Sequence, residues 1–223
     1  MHDRGEVRNR ENTMIKQSLK EAVCSETLSC WREKLFAGTS GNLSCYDRED
    51  DLIYITPSSF PYDLMKPEDI MVIRPDGTIA DGPHRPSSEW RLHAEIYRSM
   101  KDVSAVVHTH SPYATALAVS HTAIPVILIE MVPFLGGDVP VAEFALPGTE
   151  AVGRNAVEAM MKDGRNACLM ANHGVCAVGG SLAQAHIRAT YTEDAAKIYC
   201  HTLSSGLSAV LIREEDIQAM KEQ

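Results

Sequence analysis

No apolar run in this chain approaches the roughly 18 residues that a membrane span needs, so nothing is expected to cross a bilayer. Lysine and arginine form no block, and the formal net charge is −9. That balance argues against nucleic-acid or membrane-surface partners. It leaves room for a phosphorylated metabolite, which a few backbone N–H groups and hydroxyls can hold. Cys-x-x-Cys pairs are absent. The six cysteines (Cys24, Cys30, Cys45, Cys168, Cys176, Cys200) follow no regular spacing and mostly sit in apolar surroundings. They read as small buried hydrophobes in a reducing compartment, not as a disulfide framework. Residues 1–12 are charged and lack the apolar centre of a secretory signal, so a cytoplasmic location is expected. There is no convincing internal repeat and no low-complexity segment.

What remains is an ordinary globular composition, 44% hydrophobic and 23% charged over 223 residues, enough for one sizeable core. A single domain over 1–223 is expected, with 1–11 flexible and 205–223 forming a tail or short helix. A helix is predicted over 13–36, where Ile15, Leu19, Ala22, Val23 and Leu28 recur at helical spacing and Gly38 supplies a stop. Short strands at 43–46, 52–56 and 71–74, separated by turns such as Pro75-Asp76-Gly77, predict an antiparallel portion of sheet. A second helix is predicted from Ser87 or Ser88, both good N-caps, to about Met100. Further strands are predicted at 125–129, 139–144, 168–171 and 175–178. Helices are predicted at 112–121, from Thr149 as N-cap to 162, from Ser181 to 204, and over 213–222.

The most informative stretch is Ala105-Val106-Val107-His108-Thr109-His110. On a strand, residues i and i+2 point to one face with Cα atoms about 6.6 Å apart. Two imidazoles so placed can converge on one ion, and neutral ring nitrogens suit zinc. The same pattern also fits an edge strand turning two polar side chains to solvent. A second apolar strand runs into Asn172-His173-Gly174, so His173 could join the pair at the same sheet edge. Thr39-Ser40-Gly41-Asn42 and Pro57-Ser58-Ser59 are donor-rich loops. Each reads as a plain turn or as a cradle for an anion. Ser87 and Ser88 open a helix whose N-terminal N–H groups would suit a phosphate. Glu89 follows in the first turn, where an acidic residue also serves as an ordinary cap. His93 reads as a structural residue on that helix. His2, His84, His121, His186 and His201 have no partner at metal spacing and read as surface or structural.

Five stretches together resemble the zinc-dependent class II aldolase and adducin family: Gly38-Thr39-Ser40-Gly41-Asn42-Leu43-Ser44, Ile55-Thr56-Pro57-Ser58-Ser59, Pro86-Ser87-Ser88-Glu89-Trp90-Arg91-Leu92-His93, Val107-His108-Thr109-His110 and Asn172-His173-Gly174. They stand in the family's order. The resemblance implies an α/β fold, with a central mixed, largely antiparallel sheet flanked by helices in three layers. It implies a homotetramer with interfacial active sites. It also implies one Zn2+ per subunit on His108, His110 and His173 with Glu89 at the metal, and phosphate held by Gly41, Asn42, Ser58, Ser59, Ser87 and Ser88. The activity implied is cleavage of a ketose 1-phosphate, such as L-fuculose 1-phosphate or a 5-deoxypentulose or methylthioribulose 1-phosphate. The products would be dihydroxyacetone phosphate and an aldehyde, with Glu89 as the proton-transferring base.

Where members of the family that act on fuculose phosphate carry a tyrosine before the paired glycines, this chain has Glu130, so the proton donor to the C4 oxygen is open. Three other readings stay open on the same scaffold: a pentulose-phosphate 4-epimerase, a methylthioribulose-phosphate dehydratase, and a non-catalytic adducin-like interaction module. The epimerases place an aspartate where this chain has Glu89, which favours the aldolase.

Overall fold

The computed structural model describes residues 14–222, so the expectation for 1–11 lies outside the described residues. An eight-stranded sheet forms the middle layer. Its strands are β1 (Asn42–Asp47), β2 (Leu52–Ile55), β3 (Met71–Ile73), β4 (Ile79–Asp81), β5 (Ala105–Thr109), β6 (Val141–Ala142), β7 (Ala167–Met170) and β8 (Gly174–Gly179). The order across the sheet is β4-β3-β2-β1-β5-β8-β7-β6. Every pairing is antiparallel except β6 with β7. The mixed, largely antiparallel sheet is therefore as expected.

Among the described residues six α-helices flank it: α1 (Gln17–Arg32), α2 (Trp90–Ser99), α3 (Pro112–Val119), α4 (Glu150–Met161), α5 (Leu182–Ser204) and α6 (Glu214–Lys221). Because side chains alternate along a strand, the sheet feeds two cores. Ala105 and Val107 of β5 pack into the cluster shared with α1, α3, α5 and α6. Val106 packs into the opposite cluster, with Leu92, Ile96 and Tyr97 of α2 and Val152 and Met160 of α4. His108, two residues beyond Val106, belongs to that second face. Asn42 pairs directly with His108, and Ser44 with Val106, so three polar groups, those of Asn42, Ser44 and His108, sit under α2. No helix among the described residues is long and apolar enough to cross a membrane.

Several boundaries differ from expectation. The first helix ends at Arg32, well before Gly38, because Lys34 adopts a left-handed backbone (φ 64°). The second begins at Trp90, with Glu89 as N-cap instead of either serine. Ser87 closes a separate turn there: its Oγ accepts from the Glu89 N–H and its carbonyl from the Trp90 N–H. Thr149 stands at the N-cap of α4, but its hydroxyl donates back to the Leu146 carbonyl and does not cap the helix.

The expected strand at 125–129 does not form. Pro125 has no N–H to give, and both sides of β5 are already taken by β1 and β8. That apolar run packs under the C-terminal segment, where the Val126 carbonyl accepts from the Ile212 N–H, and then enters a π-helical turn at Met131–Leu135. The strand expected over 139–144 shrinks to Val141–Ala142, just past Pro140.

The loop between β7 and β8 is tightly specified. Asn172 takes a left-handed conformation (φ 54°), which asparagine tolerates better than most residues. A Cβ on Gly174 would come within 2.2 Å of the Thr109 carbonyl oxygen, which is backbone of β5 and cannot yield. Gly174 therefore lets β8 close on β5 at the end that carries the histidines. Gly174→Ala is expected to lower unfolding free energy by about 1–3 kcal/mol, seen as an earlier midpoint in urea titration. An unchanged midpoint would contradict this account of the strand contact.

Candidate active site

Three segments meet at the end of β5. β5 supplies His108, and His110 follows just past its end. The turn after β7 supplies His173, and the N-cap of α2 supplies Glu89. One ligand atom from each of these residues can be chosen so that all lie within 4.8 Å of one another. His108 Nε2 is 2.9 Å from His110 Nε2 and 3.0 Å from Glu89 Oε2. His173 Nε2 is 3.0 Å from Glu89 Oε1, yet that oxygen is buried and makes no hydrogen bond. The His108 Nδ1–H donates to the Val175 carbonyl at 2.8 Å. That bond turns Nε2 to the centre as a lone-pair donor, the usual arrangement behind a metal-binding imidazole.

The backbone explains why the rings converge. His108 and His110 are i and i+2 around the end of one strand, and His173 arrives from the neighbouring pair of strands through the Asn172 turn. The start of α3, directly after His110, is pinned from the other layer: Glu193 of α5 accepts from the N–H groups of Tyr113 and Ala114 at 3.0 and 2.9 Å. Glu193 thus satisfies two helix-end donors and fixes the exit of the histidine strand.

Electrostatically the cluster asks for positive charge at its centre. Glu89 is only 8% exposed. Burial alone would raise its carboxyl, but His108 and His173 hold it well below the usual carboxylate range. Burial works against a charge on His108, and Glu89 outweighs it, so that ring is raised. Burial, helped by His108 and His173, lowers His110 to about 4. A carboxylate and three convergent rings, with one carboxylate oxygen left without a donor, fit a divalent cation. The N3O donor set suits zinc.

In front of the cluster lies a cavity of about 330 Å³. Gly41, Asn42, Ser58, Ser59, Ser87 and Ser88 all line it, together with Glu89, His110 and His173. Every expected anion-binding residue therefore reaches the same space. Gly41 is required there, since its φ is +90° and a Cβ would meet the Phe36 ring and the His108 carbonyl. The Asn42 carboxamide, however, is turned inward: its NH2 donates to Glu89 Oε2 at 2.9 Å and its oxygen faces His93 Nε2. Glu130 precedes the π-helical turn and does not line this cavity. A larger cavity of about 730 Å³ lies beside α6, lined by Asp138, Arg165 and Lys221 among others, and contains none of these groups.

Sequence reading treats His93 as structural, meets Ser44 only as the end of a motif, and gives neither Ser44 nor Tyr97 a role in the site. All three are buried in one hydrogen-bonded line behind Glu89. The signal was available: Glu89, His93 and Tyr97 recur at four-residue spacing on one helix face, and Asn42 and Ser44 alternate on one strand face.

A family model described as class II aldolase and adducin N-terminal domain matches residues 21–200. The chain is 35% identical over 202 residues to the 5-deoxy-D-ribulose 1-phosphate aldolase of Bacillus thuringiensis, covering 91% of this chain and 93% of the relative. It is 39% identical over 178 residues to the 5-methylthioribulose-1-phosphate/5-deoxyribulose-1-phosphate aldolase of Rhodospirillum rubrum, covering 80% and 78% of the two chains. A solved structure of an L-fuculose 1-phosphate aldolase superposes with a TM-score of 0.88 at 36% identity, over 94% of this chain and 97% of that one.

His110→Ala leaves two imidazoles and a carboxylate. Its metal affinity should fall by more than the about 10–100-fold that losing an outer-layer partner costs. Elemental analysis after dialysis checks this, and wild-type metal content in the variant would remove His110 from the ligand set.

Proposed function

The chain belongs to the class II aldolase and adducin family, and on that premise we propose that it is a zinc-dependent aldolase acting as a single catalytic domain. It cleaves a ketose 1-phosphate reversibly to dihydroxyacetone phosphate and an aldehyde. The observation that carries this reading is the convergence of Glu89, His108, His110 and His173 at the wall of a cavity rimmed with serine hydroxyls. An adducin-like module that only binds a partner would have no use for three inward-turned rings on a buried carboxylate. Relatives that cover most of the chain are named for 5-deoxyribulose, methylthioribulose and fuculose phosphates, and the substrate is drawn from that class.

His108, His110 and His173, with Glu89, would hold the metal. When bound, zinc supplies Lewis acidity that stabilises the negative charge left on the substrate as the C3–C4 bond breaks. The loops carrying Gly41, Asn42, Ser58, Ser59, Ser87 and Ser88 grip the phosphate through backbone N–H groups and hydroxyls. That group is remote from the breaking bond, so its binding energy can position the reacting carbons. Glu89 moves the proton. In the synthetic direction its Oε1, which makes no hydrogen bond, takes the proton from C3; in cleavage the carboxyl so protonated returns a proton to C3, balanced by the proton that the C4 hydroxyl gives up as the aldehyde forms.

We assign the remaining features to the same reading. A homotetramer with interfacial sites would cover the exposed Ile129, Phe144 and Leu146 and bring a neighbour's residues, Glu130 among them, toward the aldehyde end. The absence of a membrane-spanning helix among the described residues and of a disulfide among their cysteines accords with a cytoplasmic enzyme.

Two measurements test this. Dihydroxyacetone phosphate release should be seen with at least one of 5-deoxyribulose, 5-methylthioribulose and L-fuculose 1-phosphates. Failure on all three, together with epimerisation of a pentulose 5-phosphate, would move the protein to the epimerase reading. Glu89→Gln should slow exchange of the C3 proton of dihydroxyacetone phosphate with solvent by about 10²–10⁴-fold. Exchange at the wild-type rate would take the base role away from Glu89.

A further inference from the structure

Behind Glu89 runs a line of buried side chains that the chemistry above leaves unused. Asn42 Nδ2 lies 2.9 Å from Glu89 Oε2, and Asn42 Oδ1 lies 2.5 Å from His93 Nε2. His93 Nδ1 is 2.6 Å from Ser44 Oγ, which is 2.6 Å from the Tyr97 hydroxyl. His93 is 0% and Ser44 0% exposed, so no solvent completes these bonds.

The inventory of donors and acceptors fixes each proton between Glu89 and Ser44. A carboxylate only accepts, so Asn42 must turn its NH2 to Glu89; reversed, two oxygens would face each other with no hydrogen between them. The Asn42 oxygen then faces His93, and Nε2 must carry a hydrogen. Burial, aided by the nearby His108, keeps the ring neutral and lowers His93 to about 3, so Nδ1 is a lone pair. Ser44 must therefore donate to Nδ1, and the Tyr97 hydroxyl has both Ser44 Oγ, at 2.6 Å, and the Ser44 carbonyl, at 3.0 Å, as acceptors. All donors point one way, toward Glu89. Only a proton on Oε2 would reverse the line and put the hydrogen of His93 on Nδ1; a proton on Oε1 leaves Oε2 an acceptor for Asn42.

We propose that His93 is a positioning residue for Glu89: acting through Asn42, it fixes the amide that occupies Oε2 and so leaves Oε1 as the oxygen available for proton transfer. This deepens the reading of Glu89 as the base and rests on it. It also gives the Asn42 side chain a task separate from any contact its backbone makes with phosphate.

Two substitutions separate this task from filling space. Glutamine at 93 carries an NH2 near the Nε2 position and can still donate to Asn42. Asparagine is shorter, so its amide stands near Nδ1, where it meets Ser44 and leaves Asn42 without a donor. His93→Gln should keep kcat and zinc affinity near wild type. His93→Asn should lose about 10–100-fold in both with the KM for the ketose phosphate little changed. Zinc affinity is read by chelator competition and needs no substrate, so a wrong substrate assignment leaves that comparison standing. The deciding spectrum is a long-range proton–nitrogen correlation on the chelator-treated, full-length wild-type protein labelled at histidine nitrogens, with His93 assigned by its disappearance in a variant. The expected result is the Nε2–H tautomer. An Nδ1–H tautomer overturns the proposal, and so does equal loss in the two folded variants. Should neither variant fold, the wild-type tautomer decides alone, with the assignment made from Asn42→Asp.

Discussion

A carboxylate taken out of water must be answered by positive charge or by hydrogen-bond donors, and Glu89 is where this fold answers one. Its two oxygens divide the surroundings. Oε2 takes the Asn42 amide and lies beside His108, while Oε1 stays without a hydrogen bond beside His173. Almost everything distinctive about the architecture serves that point: the antiparallel pairing of β1 with β5 that sets Asn42 opposite His108, the glycine that admits β8 against Thr109, and the turn that ends in His173. Removing one member would leave the others as uncompensated buried polar groups, which costs more than the lost contact itself.

The apolar layers on the two sides of the sheet have unequal duties. The face covered by α1, α3, α5 and α6 is a large hydrocarbon core, interrupted by few polar groups. The face under α2 and α4 is also apolar over most of its area, but the ends of β1 and β5 are given over to Asn42, Ser44, His108 and the α2 residues opposite them. Polar side chains tolerate such burial only when every donor and acceptor is matched. The result is a rigid backing to the cavity, carried on a helix and two strands and not on loops.

Much of this was legible in the residues. The alternation of β5 and the spacing of its histidines put both rings at one strand end. The run of Cys168 to Ala171 into His173 marked a second strand delivering a third ring. The donor-rich loops at 39–42, 57–59 and 87–88 were visible from their hydroxyls, and the structure gathers all of them around one cavity. What escaped was of two kinds. Residues 125–129 carry the composition of a buried strand, but whether a run joins a sheet depends on a free edge, which is a fact about distant strands. The line from Tyr97 to Asn42 escaped because its members come from a strand and a helix 47 residues apart at Asn42 and Glu89. Each of them alone resembles an ordinary turn, cap or core residue.

The pairing of β5 with β8 has a consequence for how the molecule matures. Side chains alternate strictly along a strand, so a slip of one residue would swing His108 into the hydrocarbon layer beneath α5 and strip the ring of its Val175 acceptor. A slipped pairing would no longer hold His108 beside His173 and Glu89. A ligand that needs all four of Glu89, His108, His110 and His173 can therefore be held only by the sheet in its native register, and its binding would favour that register over any other.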